Sequence, residues 1–189
     1  MVHNRARDRG TIRRSRVLGA ILSTGLIAAA SGAPVARAEE HTIRATAPWV
    51  SRARVFVTGR QQGFLLGVLV GRLVVEQKPS PLDGAELSCP AAVEADYSLM
   101  TQRGEGRCVI TTASGDRLFA RWTCAGEPDK GCAGRFVLLG GTGPYQGVTG
   151  DGDFTLRIQI SDLTRFERLE AEYDLVGLAT WPELRYRTP

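Results

Sequence analysis

Apolar and polar residues alternate along most of the chain after residue 50, and this alternation predicts β-strands. The pattern recurs in eight segments separated by turn-forming residues: 54–58, 64–76, 93–100, 107–112, 117–124, 135–139, 154–161 and 169–181. Eight strands joined by short turns predict an all-β domain that forms a single antiparallel closed barrel, because closure of the sheet removes exposed edges. A two-sheet β-sandwich is the alternative.

Segment 64–76 differs from the others because both of its faces are apolar. This pattern is typical of a strand that is covered on two sides. Gly67 and Gly71 within it predict bends or bulges. Between other segments, Gly104-Glu105-Gly106 and Ala113-Ser114-Gly115-Asp116 predict hairpin-type connections. The last segment begins among helix formers, so a helical turn near Thr164–Arg168 is also predicted, although the alternation through Trp181 favours a strand.

Residues 1–38 have the three parts of an export signal. An arginine-rich start is followed by an apolar stretch from Val17 and by Ala36-Arg37-Ala38, a small-x-small cleavage site. The apolar run of about 14 residues is shorter than the roughly 20 that a transmembrane helix needs, so a membrane anchor is disfavoured. Segment 12–18 also resembles a twin-arginine export motif, and an ordinary secretory signal is the alternative. We therefore expect cleavage after Ala38, an N-terminal extension over 39–50 and a barrel domain over 51–189, working in the periplasm or outside the cell.

Charge and composition exclude several classes of function. The full chain carries a net charge of +4, but residues 1–38 contain seven of its 24 basic and one of its 20 acidic residues, which leaves −2 for the rest. A nucleic-acid partner or an anionic membrane surface is therefore not expected for the mature chain. Of the two histidines in the chain, only His41 lies outside residues 1–38. A catalytic triad or a multi-histidine metal site is accordingly not expected, and no cofactor is implied.

The four cysteines Cys89, Cys108, Cys124 and Cys132 predict two disulfides, because an even count in an exported domain is typical of a disulfide framework. Three pairings are possible. The turn-rich connection between Cys124 and Cys132 favours a bridge there, which leaves Cys89 to pair with Cys108. A zinc site is the competing interpretation, but the chain has neither a Cys-x-x-Cys pair nor a histidine partner for it.

The glycine-rich stretch 140–153 is not a nucleotide-binding loop. It lacks the lysine and hydroxyl residue that follow the last glycine of a P-loop, and the third position of a dinucleotide fingerprint is Gln146. Asp151 and Asp153 could contact calcium, but the other oxygen ligands are missing at loop spacing. A tight double turn, in which glycines supply positive φ, is the favoured interpretation.

Residues 106–122 and 134–154 resemble the allene-oxide-cyclase-like, dirigent-like β-barrel group of exported bacterial proteins. The resemblance rests on a G-x-C strand at Gly106, an aromatic strand ending at Trp122, and Gly-Gly-Thr-Gly-Pro-Tyr-Gln-Gly from Gly140. The middle turn, Ser114-Gly115-Asp116, lacks the first acid of the group's pattern. The resemblance implies a β-barrel and, in some members, cyclisation of a lipid or steering of radical coupling. No catalytic residue is carried over from it.

Four aromatic residues are candidates for lining a ligand cavity, because large rings with polar tips suit small apolar or amphipathic ligands. These are Tyr97, Trp122, Tyr173 and Trp181. The competing interpretation is that they belong to the packed core. Any site is expected at the mouth of the barrel.

Three functions follow from these observations. The first is an exported β-barrel that binds a small apolar or amphipathic ligand or acts as an interaction module. The second is a cofactor-independent cyclase or isomerase that folds a lipid-like or polyketide-like substrate inside the barrel. The third is a structural surface protein with a packed core. An open interior cavity above about 300 Å³ favours ligand binding or catalysis inside the barrel, whereas a filled interior argues against both.

Overall fold

The computed structural model describes residues 38–159 and 170–189, and most of them lie in β-strands. The strands are β1 (Glu39–Gly59), β2 (Gln62–Arg72), β3 (Val74–Val75), β4 (Glu86–Asp96), β5 (Thr101–Thr111), β6 (Arg117–Glu127), β7 (Gly131–Gly141), β8 (Thr149–Gln159) and β9 (Glu170–Thr188). One turn of 3-10 helix, Gly143–Tyr145, separates β7 from β8. The predicted helical turn at 164–168 and the predicted export signal lie outside the described residues.

The sheet closes on itself. Each strand pairs with the next one along the chain from β4 to β9, and β1 then pairs with both β9 and β2, while β2 pairs with β4. All these pairings are antiparallel. The all-β prediction and the closed eight-stranded barrel are confirmed, and the two-sheet sandwich is excluded. The short β3 is an extra strand that pairs with β1 at Ala45 and Thr46.

The barrel begins earlier in the chain than the sequence predicts. Residues 39–50, expected as an extension, form the first half of β1 and pair with β9 from Glu39 opposite Thr188 to Val50 opposite Val176. The alternation in this stretch is partly hidden, because its inward positions include small residues such as Ala45 and Ala47. The start of the barrel therefore lies at Glu39 rather than at residue 51.

Alternate residues of each strand point into the barrel and form one buried core. On β6, for example, Leu118, Ala120, Trp122 and Cys124 are buried, and the residues between them are exposed. Loop residues add to this core. Leu82 lies in the β3–β4 connection and Tyr145 in the glycine-rich connection, and both are almost fully buried.

The predicted connection at Gly104–Gly106 is wrong, because these residues lie inside β5. The turn between β4 and β5 is formed by residues 97–100 instead. Gly106 is needed in the strand for space: a Cβ atom there would lie 2.5 Å from Nε1 of Trp122. The glycine signals close packing against a ring rather than a turn.

The predicted bends at Gly67 and Gly71 are also absent, since β2 pairs with β4 in continuous register through both residues. A Cβ atom at Gly67 would lie 2.6 Å from the Ser51 hydroxyl oxygen and 3.0 Å from Cβ of Ala53. This glycine likewise makes room for β1. The connection at 113–116 is a turn, as predicted.

Both predicted disulfides are confirmed. Cys89 pairs with Cys108 across β4 and β5, with Cα atoms 4.1 Å apart, and Cys124 pairs with Cys132 across β6 and β7, with Cα atoms 5.5 Å apart. All four cysteines are thus committed to bridges, so none serves as a zinc ligand. Two bridges are compatible with an oxidising location outside the cytoplasm.

The glycine-rich stretch divides between two strands and a turn. Gly140 and Gly141 end β7, the 3-10 turn follows, and β8 begins at Thr149. Gly143 and Gly147 have positive φ angles of 54° and 81°. The interpretation as a tight turn region is confirmed, since these backbone conformations favour glycine.

Candidate functional site

Aromatic side chains fill the middle of the barrel. Trp122 and Phe136 each contact Phe154 edge-on, with ring centroids 5.6 and 6.2 Å apart, and Phe136 contacts Trp181 at 5.2 Å. All four rings are almost completely buried. Such edge-to-face contacts are a favourable packing of aromatic rings.

The four predicted ligand-lining residues therefore divide into two pairs. Trp122 and Trp181 belong to this aromatic cluster in the barrel centre. Tyr97 is half-buried in the β4–β5 turn, and Tyr173 is half-buried near the start of β9, where it pairs with Ala53. Both tyrosines lie at the end of the barrel that carries the β1–β2 and β4–β5 turns. Burial raises the pKa of the Tyr97 hydroxyl.

Three buried polar atoms have no hydrogen-bond partner among the described residues: Nε1 of Trp49, Oγ of Ser51 and Nε1 of Trp181. A buried donor without a partner costs about 1–3 kcal/mol.

The outer surface of the barrel carries an extended group of exposed apolar side chains on three adjacent strands. We call it the apolar face. Its members are Val50 on β1, Leu66, Val68 and Val70 on β2, and Val176 and Leu178 on β9, each 40–58% exposed. Val50 pairs directly with both Val70 and Val176. Single exposed apolar residues are ordinary on protein surfaces, whereas contiguous exposed apolar sets are found more often at interaction sites.

The apolar face corrects the interpretation of β2 as a strand covered on both sides. Its inner face packs in the core through Leu65 and Leu69, whereas Leu66, Val68 and Val70 point outward and remain exposed. No segment of the chain within residues 38–159 and 170–189 covers them. The two-sided apolar pattern of β2 is therefore only half explained by the fold of this chain.

Two shallow grooves cross the apolar face. One, of about 570 Å³, lies between Pro48, Val50, Val70, Val176 and Leu178. The other, of about 810 Å³, runs across the strands from β1 to β6, and we call it the arginine groove. Its two walls are neighbouring rows of outward side chains. The first row contains Arg52, Val68, Pro90, Arg107 and Arg121. The second row contains Arg54, Leu66, Ala92, Glu105 and Thr123.

Two arginines of the arginine groove occupy directly opposed positions on neighbouring strands. Arg107 on β5 pairs directly with Arg121 on β6, and both side chains are exposed. Neither guanidinium forms an ion pair with a carboxylate of the described chain. Like charges at directly opposed positions of a sheet are destabilising.

The other charges on this surface are largely neutralised in place. Arg52 forms an ion pair with Asp174 at 3.2 Å, and Arg54 forms one with Glu170 at 2.6 Å. Glu170 and Asp174 on the outer face of β9 are thus held by arginines of β1. Among the four arginines that line the arginine groove, only Arg107 and Arg121 form no ion pair with a described residue.

Asp151 and Asp153, considered above as calcium ligands, both form ion pairs with Arg135. These carboxylates, Asp153 first, raise the pKa of the Arg135 guanidinium. Among the residues that the structure describes, no group of three or more histidine, cysteine or acidic side chains is placed to hold a metal ion.

The β4–β5 turn is organised by Asp96. Its carboxylate accepts hydrogen bonds from the Ser98 hydroxyl at 2.5 Å, the Gln62 side-chain amide at 2.8 Å and the Leu99 backbone N–H at 3.0 Å. These hydrogen bonds, the Ser98 hydroxyl first, lower the pKa of Asp96 to about 2. The turn exposes Leu99 and Met100 beside Tyr97.

Neither the apolar face nor the arginine pair is predicted from the sequence. The two-sided apolar pattern of β2 is the signal for the apolar face, but the same pattern is typical of a strand buried on both sides. Arg107 and Arg121 are not neighbours in sequence, and only the register of β5 against β6 brings them together.

Comparisons of the chain with known protein families, with characterised proteins and with solved structures gave no match. The resemblance to the allene-oxide-cyclase-like and dirigent-like group therefore stays a prediction. No helix within the described ranges is long and apolar enough to cross a membrane.

Proposed function

We propose that this protein is an exported β-barrel that acts as a binding module and that it binds through its apolar face. The observation that carries the proposal is the exposure of Leu66, Val68 and Val70 on a strand whose other side is already packed in the core. Exposed apolar surface of this kind costs free energy in water, and a bound partner or ligand removes that cost.

The packed interior favours this function over chemistry inside the barrel. A substrate at the barrel centre would have to displace buried rings, including those of Phe136 and Trp181. The cyclase alternative consequently has less support. A purely structural role gives no reason for an apolar face to be exposed. The six exposed side chains of that face therefore favour a binding role.

The test is binding of Nile red, an uncharged dye that fluoresces in apolar surroundings, to the native protein. We expect the dye to bind, and the triple variant Val50→Ser, Val70→Ser, Val176→Ser to reduce binding at least fivefold. The matched control is Phe119→Ser with Leu139→Ser, because these residues are also exposed and apolar but lie on β6 and β7. We expect this control to bind the dye as the parent protein does.

The mass of the protein in solution is measured in parallel by sedimentation. A dimer that dissociates in the triple variant would identify a second copy as the partner and would support the binding role. Dye binding that survives in the triple variant but is lost in Tyr173→Ala would place the site at the barrel mouth and overturn the proposal. Absence of dye binding together with a monomeric mass would favour the structural role.

A further inference from the structure

We infer that the arginine groove binds a single-chain amphiphile with an anionic head group, the head between Arg107 and Arg121 and the chain on the apolar side chains of β4 and β2. This inference rests on the proposed function and names the chemical class of its ligand. The occupant is a free amphiphile rather than a membrane surface or a protein.

The head-group position follows from the register of β5 and β6. Arg107 and Arg121 are directly opposed, so both guanidinium groups extend from neighbouring strands into one groove. Guanidinium groups bind carboxylate and phosphate oxygens through paired N–H donors. An anion between them removes the repulsion that the two cations otherwise exert on each other.

The charge of the groove supports an anionic ligand. On the β5–β6 side, the lining contains these two guanidinium groups and one carboxylate, that of Glu105. Glu105 lies in the opposite wall and forms no ion pair with either arginine in the part of the chain that the structure describes. At the other end, Arg52 and Arg54 are already held by acidic residues of β9.

The chain position follows from the residues next to the arginine pair. Val68 pairs with Pro90, and Leu66 pairs with Ala92, so β2 and β4 present an apolar strip between the free arginines and the ion-paired ones. From β5, two strand spacings of about 4.8 Å each, or roughly 10 Å, lead across β4 to β2, and the ion-paired Arg52 and Arg54 of β1 follow beyond this strip. A chain of about ten carbons is of comparable length.

The test is calorimetric titration of the purified full-length protein with decanoate below its micelle concentration. Acetate supplies the head alone and decanol the chain alone. We expect decanoate to bind at least tenfold more tightly than either, and its affinity to fall as salt is added, because the head is held electrostatically.

Two double variants with the same change in net charge distinguish binding at a specific site from general electrostatic attraction of decanoate to the protein. Arg107→Gln with Arg121→Gln removes the pair, and we expect it to weaken decanoate binding at least tenfold. Arg103→Gln with Arg117→Gln removes two arginines from the same two strands, and neither of these residues lines the groove. We expect this control to bind decanoate within twofold of the parent protein. Circular dichroism confirms that both variants are folded.

Equal losses in the two double variants, or no loss in either, would overturn the inference. Binding to anionic vesicles but not to decanoate would identify a membrane surface instead and would also overturn it. The proposed function has a separate outcome: Nile red binding that depends on Val50, Val70 and Val176 stands even if decanoate does not bind. If the protein bound neither decanoate nor Nile red, the inference and the proposed function would both be overturned.

Discussion

Arg107 and Arg121 occupy directly opposed positions on the outer faces of β5 and β6, and neither has a carboxylate partner in the described chain. In most of the ion pairs on this surface, the opposed or adjacent strand supplies the opposite charge, as Asp174 does for Arg52. The arginine pair is therefore a local electrostatic cost, and this cost can be measured in the unliganded protein.

We expect Arg121→Gln to stabilise the protein by about 0.5 kcal/mol at low salt, because it removes a like-charge pair across two strands. The gain should shrink between about 10 mM and 1 M salt as the Debye length falls from about 30 to 3 Å. Urea unfolding at the two salt concentrations measures it. Arg117→Gln is the control, since Arg117 pairs with Thr111 rather than with a cation. An equal gain in the control would contradict a pairwise origin.

Gly106→Ala should destabilise the barrel by about 1–3 kcal/mol, because the added methyl group would overlap the Trp122 ring. The substitution Trp122→Phe leaves a smaller ring and should itself be destabilising through the lost volume. The double variant should lose less stability than the sum of the losses in the two single variants, since the methyl group then occupies part of the space that the larger ring has vacated. Urea unfolding of the four proteins gives the coupling energy. Additive costs would show that the two residues do not compete for space.

Removing the Cys89–Cys108 bridge should cost more stability than removing the Cys124–Cys132 bridge. The two bridges span 19 and 8 residues. From loop-closure entropy, their contributions are about 3.2 and about 2.5 kcal/mol. Paired Cys→Ala variants, compared by urea unfolding under oxidising conditions, measure the difference. A larger loss from the shorter loop would show that loop entropy does not determine the order.

Asp96→Asn should make the free energy of unfolding depend less on pH in the acid range. The hydrogen bonds to its carboxylate lower the pKa from 3.8 to about 2, so the folded state favours the ionised form. This stabilisation is fully present above the ordinary pKa and is lost as the pH falls through the folded-state pKa. The stability difference between parent and variant should therefore decrease from about pH 4 to about pH 2.

The measurement is the free energy of unfolding at several pH values in that range. Glu94→Gln provides the control, because Glu94 is exposed at the end of the same strand and forms no hydrogen bond through its side chain within the described residues. A stability difference for Asp96→Asn that does not change with pH would contradict the prediction.

The architecture was predictable because period-two alternation reports which side of a strand is buried, and this pattern is strong in β6 and β8. The disulfide pairing was predictable from loop composition. Glycine was ambiguous: Gly106 and Gly115 look alike in sequence, yet one makes room for a buried ring and the other adopts a positive φ of 88° in a turn. Only the packing distinguishes these two uses.

The candidate site was less predictable than the fold, for two physical reasons. A side chain such as Val68 gives the same sequence signal whether it is buried by its own chain or exposed for a partner. The proximity of Arg107 and Arg121 depends on strand register, which is set by the whole sheet and not by local sequence. Of the four aromatic residues considered as cavity-lining, Trp122 and Trp181 are packed in the core.

The pairing of Glu39 with Thr188 has a consequence for biosynthesis. Of the strands of the barrel, β1 is synthesised first and β9 last, so the barrel cannot close until β9 has been made. Until then, β1 and β8 each present an unpaired strand edge that can associate with other chains. A premature stop codon anywhere before β9 would remove a partner from both edges at once, and the shortened product should aggregate or be degraded rather than fold.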